Sequence, residues 1–413
     1  MSDLGFIEKL LDGAEVEWKP LGDLEDSSLI KLGRGSVISK NDLANTPGEF
    51  PVYSSSASDR GEFGRYGNFM FDDERLTWSI DGGGRFFYRS PHKYSVTNVC
   101  GWLSVLEPGN LSTRYLYHYL SSAWANKVFD YTKKAHPSVI RNEYSIPIPY
   151  PKEPEKSLAI QGEIVRILDS FTELTAELTA ELELRKKQYN HYRDQLLTSE
   201  VAGLEWKSLD EIGGFIRGKR FTKADYRPQG IGAIHYGEIY THYGVFAYET
   251  LSKVRSDMAA SLRFAETNDV IIAGVSETVE DVGKAVAWLG EEPVAIHDDS
   301  YAFRHTMNPK FIAYAMQIDA FHDQKGKYVS RGKIKRLLID GMKNVKLPIP
   351  FPDDPEKSLA EQARIVAILD KFDTLTTSLS EGLPREIELR QQQYEYYRDL
   401  LLSFPKPAEA VEA

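Results

Sequence analysis

Cysteine is almost absent from this chain. The one residue, Cys100, has no partner for an intrachain disulfide and cannot build a cysteine-based zinc cluster. Long apolar runs are absent too. No stretch approaches the roughly 20 apolar residues that span a bilayer, and no basic-plus-apolar leader follows Met1. A cytoplasmic protein is expected. Phosphate-cradling and metal motifs are missing: Gly283-Lys284 continues into Ala285 rather than Ser or Thr, and lacks the upstream glycine of a P-loop. Asp81-Gly82-Gly83-Gly84 reads as a turn, and there is no HExxH or other cluster of metal ligands.

Net positive charge is also missing, since the chain carries 50 Lys and Arg against 61 Asp and Glu, a net charge of −11. Divided along the chain, the deficit is local. Residues 16–150 hold 15 basic and 15 acidic residues, and residues 204–350 hold 20 and 19. The acidity sits in the remainder. Whole-chain charge therefore excludes little about a single face.

What is present is a repeat. EIVRILDSFTELTAELTAELELRKKQYNHYRDQLL begins at Glu163, and ARIVAILDKFDTLTTSLSEGLPREIELRQQQYEYYRDLLLSF begins at Ala363. Each follows nearly the same lead-in, PIPYPKEPEKSLAIQ at 147–161 and PIPFPDDPEKSLAEQ at 348–362. Ile164, Ile167, Phe171, Leu174 and Leu178 recur at steps of three and four, the seam of a coiled coil, so each copy reads as a long helix. The first is expected over Glu163–Thr198. Within it Thr-Ala-Glu-Leu occurs at 175–178 and again at 179–182, which spaces Leu174, Leu178 and Leu182 by four. The second copy runs the same spacing one step further, through Leu375, Leu379, Leu383 and Ile387. Such units suit a spacer better than a buried helical hairpin. Gly382 and Pro384, inside the extra turn, predict a break there.

Residues 1–15 read as a short amphipathic helix. LLDGAEVEWKPLGDL at 10–24 resembles LLTSEVAGLEWKSLDEI at 196–212, so the repeat is circular, and the N-terminal helix is expected to pack with the end of the C-terminal helix. The expected domains are 16–150 and 204–350, divided by spacer helices within 151–203 and 351–413. In the first, Phe50–Tyr53, Asn68–Phe71, Leu76–Ile80, Arg85–Tyr88 and Val96–Leu106 read as strands and Thr113–Phe129 as a helix. In the second, Ala233–Tyr236 and Asp269–Ala273 read as strands and Phe311–Phe321 as a helix. Thr77-Trp78 reads as core. The fold class is α+β. Away from their edges the two regions differ strongly, which suggests one job done on two different targets.

The paired lead-ins, the VxILDxF helices, the Thr-Ala-Glu-Leu units, the LRxxQYxxYRDxLL ends and EGLPREIELR closely resemble the specificity subunit of Type I restriction–modification enzymes, in the sub-family with spacer repeats. The resemblance covers nearly all of the chain. It implies two target-recognition domains separated by an antiparallel pair of long helices, a pseudo-two-fold circular repeat. Each domain would read half of a bipartite DNA site. Two adenine-N6 methyltransferase subunits would dock on the helices, and two restriction/translocase subunits could join. S-adenosylmethionine, ATP and Mg2+ would belong to those partners, with no cofactor and no catalysis in this chain. The residues agree: a methyltransferase needs Asn/Asp-Pro-Pro-aromatic, and Asn308-Pro309-Lys310-Phe311 has lysine in place of the second proline, so it reads as a helix start.

Candidate DNA contacts lie first in two basic loops before the lead-ins. One carries Lys133, Lys134, His136, Ser138 and Arg141. The other carries Lys325, Lys327, Tyr328, Ser330, Arg331 and Lys333 and continues to Lys335 and Arg336. Lys and Arg neutralise phosphates, and hydroxyls bond phosphates or base edges. The resemblance places this loop in the DNA groove; the alternative is a solvated charged loop. Further candidates are Arg34 and Lys40, beside the polar run Tyr53–Ser56, in the first domain. In the second domain the further candidates are Arg217, Lys219, Arg220, Lys223, His235 and Tyr236, where Tyr-rich strands are equally compatible with half-buried sheet. Rival classes are a scaffold whose domains bind proteins and a self-sufficient methyltransferase or nuclease.

Overall fold

The computed structural model describes all residues except 1–12, 14, 56–60, 82–84, 126, 128, 130–132, 199–202, 378–380 and 406–413. The expected N-terminal helix, and with it its packing on the C-terminal helix, lies outside the described residues. The chain divides into two units, Met1–Glu177 with Glu388–Ala413, and Leu178–Ile387.

In the first unit Val16–Pro20 pairs antiparallel with Ser145–Pro149, setting Trp18 opposite Pro147. A four-stranded sheet follows in the order Ile30–Arg34, Cys100–Val105, Arg75–Ser79, Phe87–Arg89, with a three-stranded sheet of Glu62–Tyr66, Phe50–Tyr53 and Ser95–Val96. Leu76, Trp78 and Leu103 from the larger sheet meet Tyr115, Leu116 and Leu120 of the Thr113–Ala125 helix in one core. Ile160, Ile164, Leu168, Leu401 and Phe404 complete that core, so both terminal stretches of long helix belong to it. Phe171 stacks on Tyr397 with ring centroids 5.2 Å apart.

The second unit repeats the plan. Leu204–Ser208 pairs with Lys346–Pro350, and Trp206 faces Pro348. A five-stranded sheet runs Gly213–Arg217, Ser300–His305, Val270–Ala273, Ala285–Trp288, Phe246–Ala247. A four-stranded sheet runs Ser252–Val254, Tyr226–Ile234, Val294–Ile296, Phe264–Ala265. Ile365, Val366 and Leu369 of the Pro355–Thr377 helix join Phe303, Phe311 and Tyr189 in its core.

The first long helix spans Pro154–Thr198, 45 residues, and so begins well before Glu163. Proline suits a first helical turn, where its missing N–H would have no partner anyway. The second copy is broken as expected. One helix ends at Thr377 and the next spans Gly382–Leu401. Gly382 has φ +80°, and a Cβ on it would lie 2.5 Å from the Thr374 carbonyl oxygen. The spacer leucines Leu174, Leu178, Leu182 and Leu383, with Ile387, are half-buried, Leu375 is exposed, and Leu379 lies outside the described residues.

Four local readings are corrected. Val96–Leu106 is not one strand: Ser95–Val96 and Cys100–Val105 lie in different sheets. Asn68–Phe71 is no strand; Phe71 makes a lone bridge to Tyr94. The strand before His235 ends at Ile234, because His235 caps a helix over Tyr236–Thr241. Phe311–Phe321 splits into Pro309–Ala315 and Asp319–Gly326. Asn308 caps the first of these, its side chain accepting from the Lys310 and Phe311 amides. Trp78 is buried as expected, its indole donating to Ala135 O at 2.8 Å.

Candidate nucleic-acid interface

Each unit seats its globular region on its long helix through the same polar clasp. Gln161 Oε1 accepts the Ser112 amide at 2.9 Å and its Nε2 donates to Ser157 Oγ at 3.0 Å. Gln362 does the same with the Asn308 amide at 2.9 Å and Ser358 Oγ at 2.9 Å. About two helical turns further on, Asp169 binds Arg114 and His118, while Asp370 binds Lys310 and Tyr314.

In the second unit, Arg217 closes the strand Gly213–Arg217 and donates from Nε to the Asp298 carbonyl at 3.0 Å. Gly218 follows because the chain passes too close for a side chain: a Cβ would come within 2.1 Å of His297 O. Lys219, Arg220 and Lys223 are exposed and carry no ion pair among the described residues. His235 Nδ1 accepts the Gly237 amide at 3.1 Å, and its ring centroid lies 4.4 Å from those of Tyr236 and His297. Burial, with His297 adding to it, pushes the His235 pKa down to about 4. A neutral imidazole cannot neutralise a phosphate, so His235 offers stacking and a hydrogen bond instead of charge.

The second basic loop divides in two. Lys325 is 1% exposed, and its ammonium donates to the Glu280 and Val282 carbonyls at 2.6 Å each. Burial lowers its pKa to about 8. It is a core residue, contrary to its reading as a loop cation. The others stay outside. Lys327, Arg331 and Lys333 are exposed without ion pairs among the described residues, and Tyr328 and Ser330 are exposed beside them. Ser330 holds the loop closed: its amide donates to Arg336 O at 3.0 Å and its hydroxyl accepts the Arg336 amide at 2.9 Å. Arg336 in turn reaches Asp299 at 3.1 Å. The turn His297-Asp298-Asp299 thus gathers Arg217, Lys219, His235, Tyr236 and the 330–336 loop.

Donor atoms of His297, Asp298 and Asp299 lie within 4.8 Å of one another. Two of the three are engaged within the protein: His297 Nδ1 accepts the Asp299 amide at 3.2 Å and Asp299 binds Arg336, while Asp298 Oδ1 is buried without a hydrogen-bond partner among the described residues.

The first unit has the same frame with different furniture. Arg34 ends the strand Ile30–Arg34 and donates from Nε to the Asn98 carbonyl. Gly35 again leaves no room, with a Cβ 2.3 Å from Val96 O. Lys40 is exposed at the start of a helix that Ser39 caps. Tyr53, by contrast, is 9% exposed under the Arg89 guanidinium, which sits 3.5 Å from its ring centroid. The first basic loop is largely neutralised by its own domain. Lys133 pairs with Glu143 and Lys134 with Asp81, at 2.8 Å each. Arg141 binds Glu25 at 2.9 Å and Asp26 at 2.6 Å, and so serves as an internal clamp. His136 precedes the Pro137–Glu143 helix, and Ser138 is exposed within it. The loops also correspond in another register than their sequences suggest: Ala135 donates to Ile80 O as Leu337 donates to Gly274 O, which equates Lys134 with Arg336.

The family model of the Type I restriction modification DNA specificity domain matches residues 15–184 and again 203–389. The chain belongs to the Type I restriction–modification specificity subunits. It is 34% identical to the EcoR124I/EcoR124II specificity subunit of Escherichia coli, across 98% of this chain and 99% of that one. It is 30% identical to the putative specificity subunit S.HindORF215P of Haemophilus influenzae, across 97% and 98%. Among solved structures, the S subunit from M. genitalium matches at TM-score 0.54 and 16% identity over 96% of this chain and 98% of that one, a likeness of fold. A chain from a study of assembly and conformational transition of the type I R-M system matches at TM-score 0.55 and 14% identity, over 94% and 97%. Specificity subunits recognise DNA sequence and are not enzymes; catalysis resides on partner subunits. Among the described residues, no helix of this specificity subunit is long and apolar enough to cross a membrane.

Proposed function

We propose that each unit reads one half of a bipartite, asymmetric DNA site, and that the long helices fix the gap between half-sites and dock two adenine-N6 methyltransferase subunits. Two restriction/translocase subunits complete the assembly, and S-adenosylmethionine, ATP and Mg2+ act on those partners. The observation that carries this reading is the double frame. One clasp, one helix aspartate and one pinned arginine recur in both units, while the residues displayed around them differ. That is the arrangement expected of one task applied to two sequences. In the second unit, Lys219, Arg220, Lys223, Lys327, Arg331 and Lys333, without ion pairs among the described residues, supply positive charge for phosphates, and His235 with Tyr236 supplies neutral aromatic contacts. The target adenine would leave the stack for a partner's pocket. The fullest test is methylation mapping in a host that expresses this chain with its methyltransferase subunit, beside gel shifts on random duplexes. A split motif with fixed gap is expected. Duplex binding that is absent with and without the methyltransferase subunit would point to a protein scaffold instead.

A further inference from the structure

Arg34 and Arg217 sit at one place in two otherwise dissimilar domains. Each is the last residue of its strand, opposite Gly101 and Tyr301 respectively. Each donates from Nε to the carbonyl of the residue at the same point of the turn that leads into the paired strand, Asn98 or Asp298. The next residue in each case is a glycine whose missing side chain lets the strand end press on carbonyl oxygens. Its amide donates to Cys100 O or Ser300 O, and the amide after that to Val96 O or Ile296 O. Both arginines are exposed, and neither has a carboxylate partner among the described residues.

Each guanidinium, anchored through Nε, is restrained in direction, and its terminal nitrogens have no hydrogen-bond partner among the described residues. That leaves a rigid fork of donors, the geometry that matches a phosphate or the O6/N7 edge of guanine. The repetition chooses between these. The residues around each arginine differ: Ser36 stands where Lys219 stands, and Lys134 where Arg336 stands. A group kept identical between two readers of different sequences fits the part of DNA that never changes.

Resting on the proposed DNA-reading role, we propose that Arg34 and Arg217 are a matched pair of backbone-phosphate clamps, one per domain. They set each domain's register on the duplex, and the differing neighbours read bases. Arg34→Gln and Arg217→Gln in the full chain are compared with wild type on two probes, a random-sequence duplex and a duplex bearing the mapped motif, across a salt series. Each substitution is expected to weaken both probes by the same factor and to lower the salt slope by about 0.9, with the methylated motif unchanged. Arg34→Lys and Arg217→Lys keep the charge but lose the fork. They are expected to hold the wild-type salt slope and motif with a uniform loss of affinity, which keeps the test open if a Gln variant fails to fold. An unchanged affinity and slope would overturn the proposal, as would a motif relaxed at one base pair, which would make the arginine a base reader. Wild-type protein that ignores both probes, with and without the methyltransferase subunit, would instead sink the functional reading itself.

Discussion

His118 Nε2 lies 2.8 Å from Asp169 Oδ1, and the other ring nitrogen, Nδ1, is buried without a hydrogen-bond partner among the described residues. The ring is therefore a neutral donor seated against a carboxylate. Burial lowers its pKa despite the carboxylate. Asp169 falls to about 2: burial pushes it up, but hydrogen bonds from His118 and Arg114 outweigh that.

The same sign recurs in His235, His297, His305 and His322, all lowered by burial, His235 and His305 to about 4 from 6.5. A base with a depressed folded pKa takes up protons on unfolding, so stability falls as pH drops from about 6.5 toward about 4. Asp169 adds a further loss below about pH 4, as its carboxylate is protonated. The melting temperature should decline between pH 6.5 and 5, before most carboxylates titrate. A flat profile there would contradict the neutral, buried state of these rings.

Lys327, Arg331 and Lys333 should contribute to DNA affinity without holding the fold. Replacing all three by Ala should lower the salt slope by up to about 2.7 if each meets a phosphate, with no change in melting temperature. Salt titrations of duplex binding decide this. An unaltered slope removes the loop from the interface.

Lys325→Ala should behave in the opposite way. It removes a buried side chain and leaves the Glu280 and Val282 carbonyls without their donor, costing about 3 kcal/mol. Denaturant titration should show that loss, and the salt slope of whatever protein remains folded should be that of wild type.

Gly382→Ala should destabilise the second unit by about 1–2 kcal/mol, because alanine must adopt φ +80° against the Thr374 carbonyl. If denaturation midpoints match, the helix break tolerates a side chain and its glycine is incidental.

Deleting Thr179–Leu182 removes one of two equivalent four-residue units from a continuous helix. It shortens that helix by about 6 Å and rotates its C-terminal part by about 40°. The half-site bases should stay and the gap between them should shrink by one or two base pairs, at about 3.4 Å each. Methylation mapping that finds new half-site bases with an old gap would rule out the helix as ruler.

The sequence displayed the long helices wherever apolar residues mark one face, and missed their first turns. Before Ile164, the helix buries Ser157 and Gln161 beside Ile160, polar residues satisfied by each other and by a main-chain amide, and such mixed burial blurs the apolar period. The break at Gly382 was legible because glycine and proline carry backbone meaning by themselves. Lys325 was not, since only tertiary structure brings two carbonyls to its ammonium. Arg141 likewise looks like a DNA contact until Glu25 and Asp26 arrive from a distant turn. The match of Arg34 with Arg217 was out of reach because it is written in main-chain hydrogen bonds.

The Ser157–Gln161 and Ser358–Gln362 clasps ask for very little from the domains they hold. Each glutamine takes a peptide N–H, and a peptide N–H is the same whatever residue bears it; Ser112 provides it in one case and Asn308 in the other. This part of the seat is thus indifferent to the residue that donates, whereas Asp169 and Asp370 bind side chains particular to their own domains. A domain with a different reading surface could be recombined onto these helices between the tryptophan strand and the proline strand that flank it, provided it keeps the base packed against the helix and a donor for the helix aspartate. New specificities could then arise by exchange of whole cassettes, faster than point mutation could rebuild a reading surface.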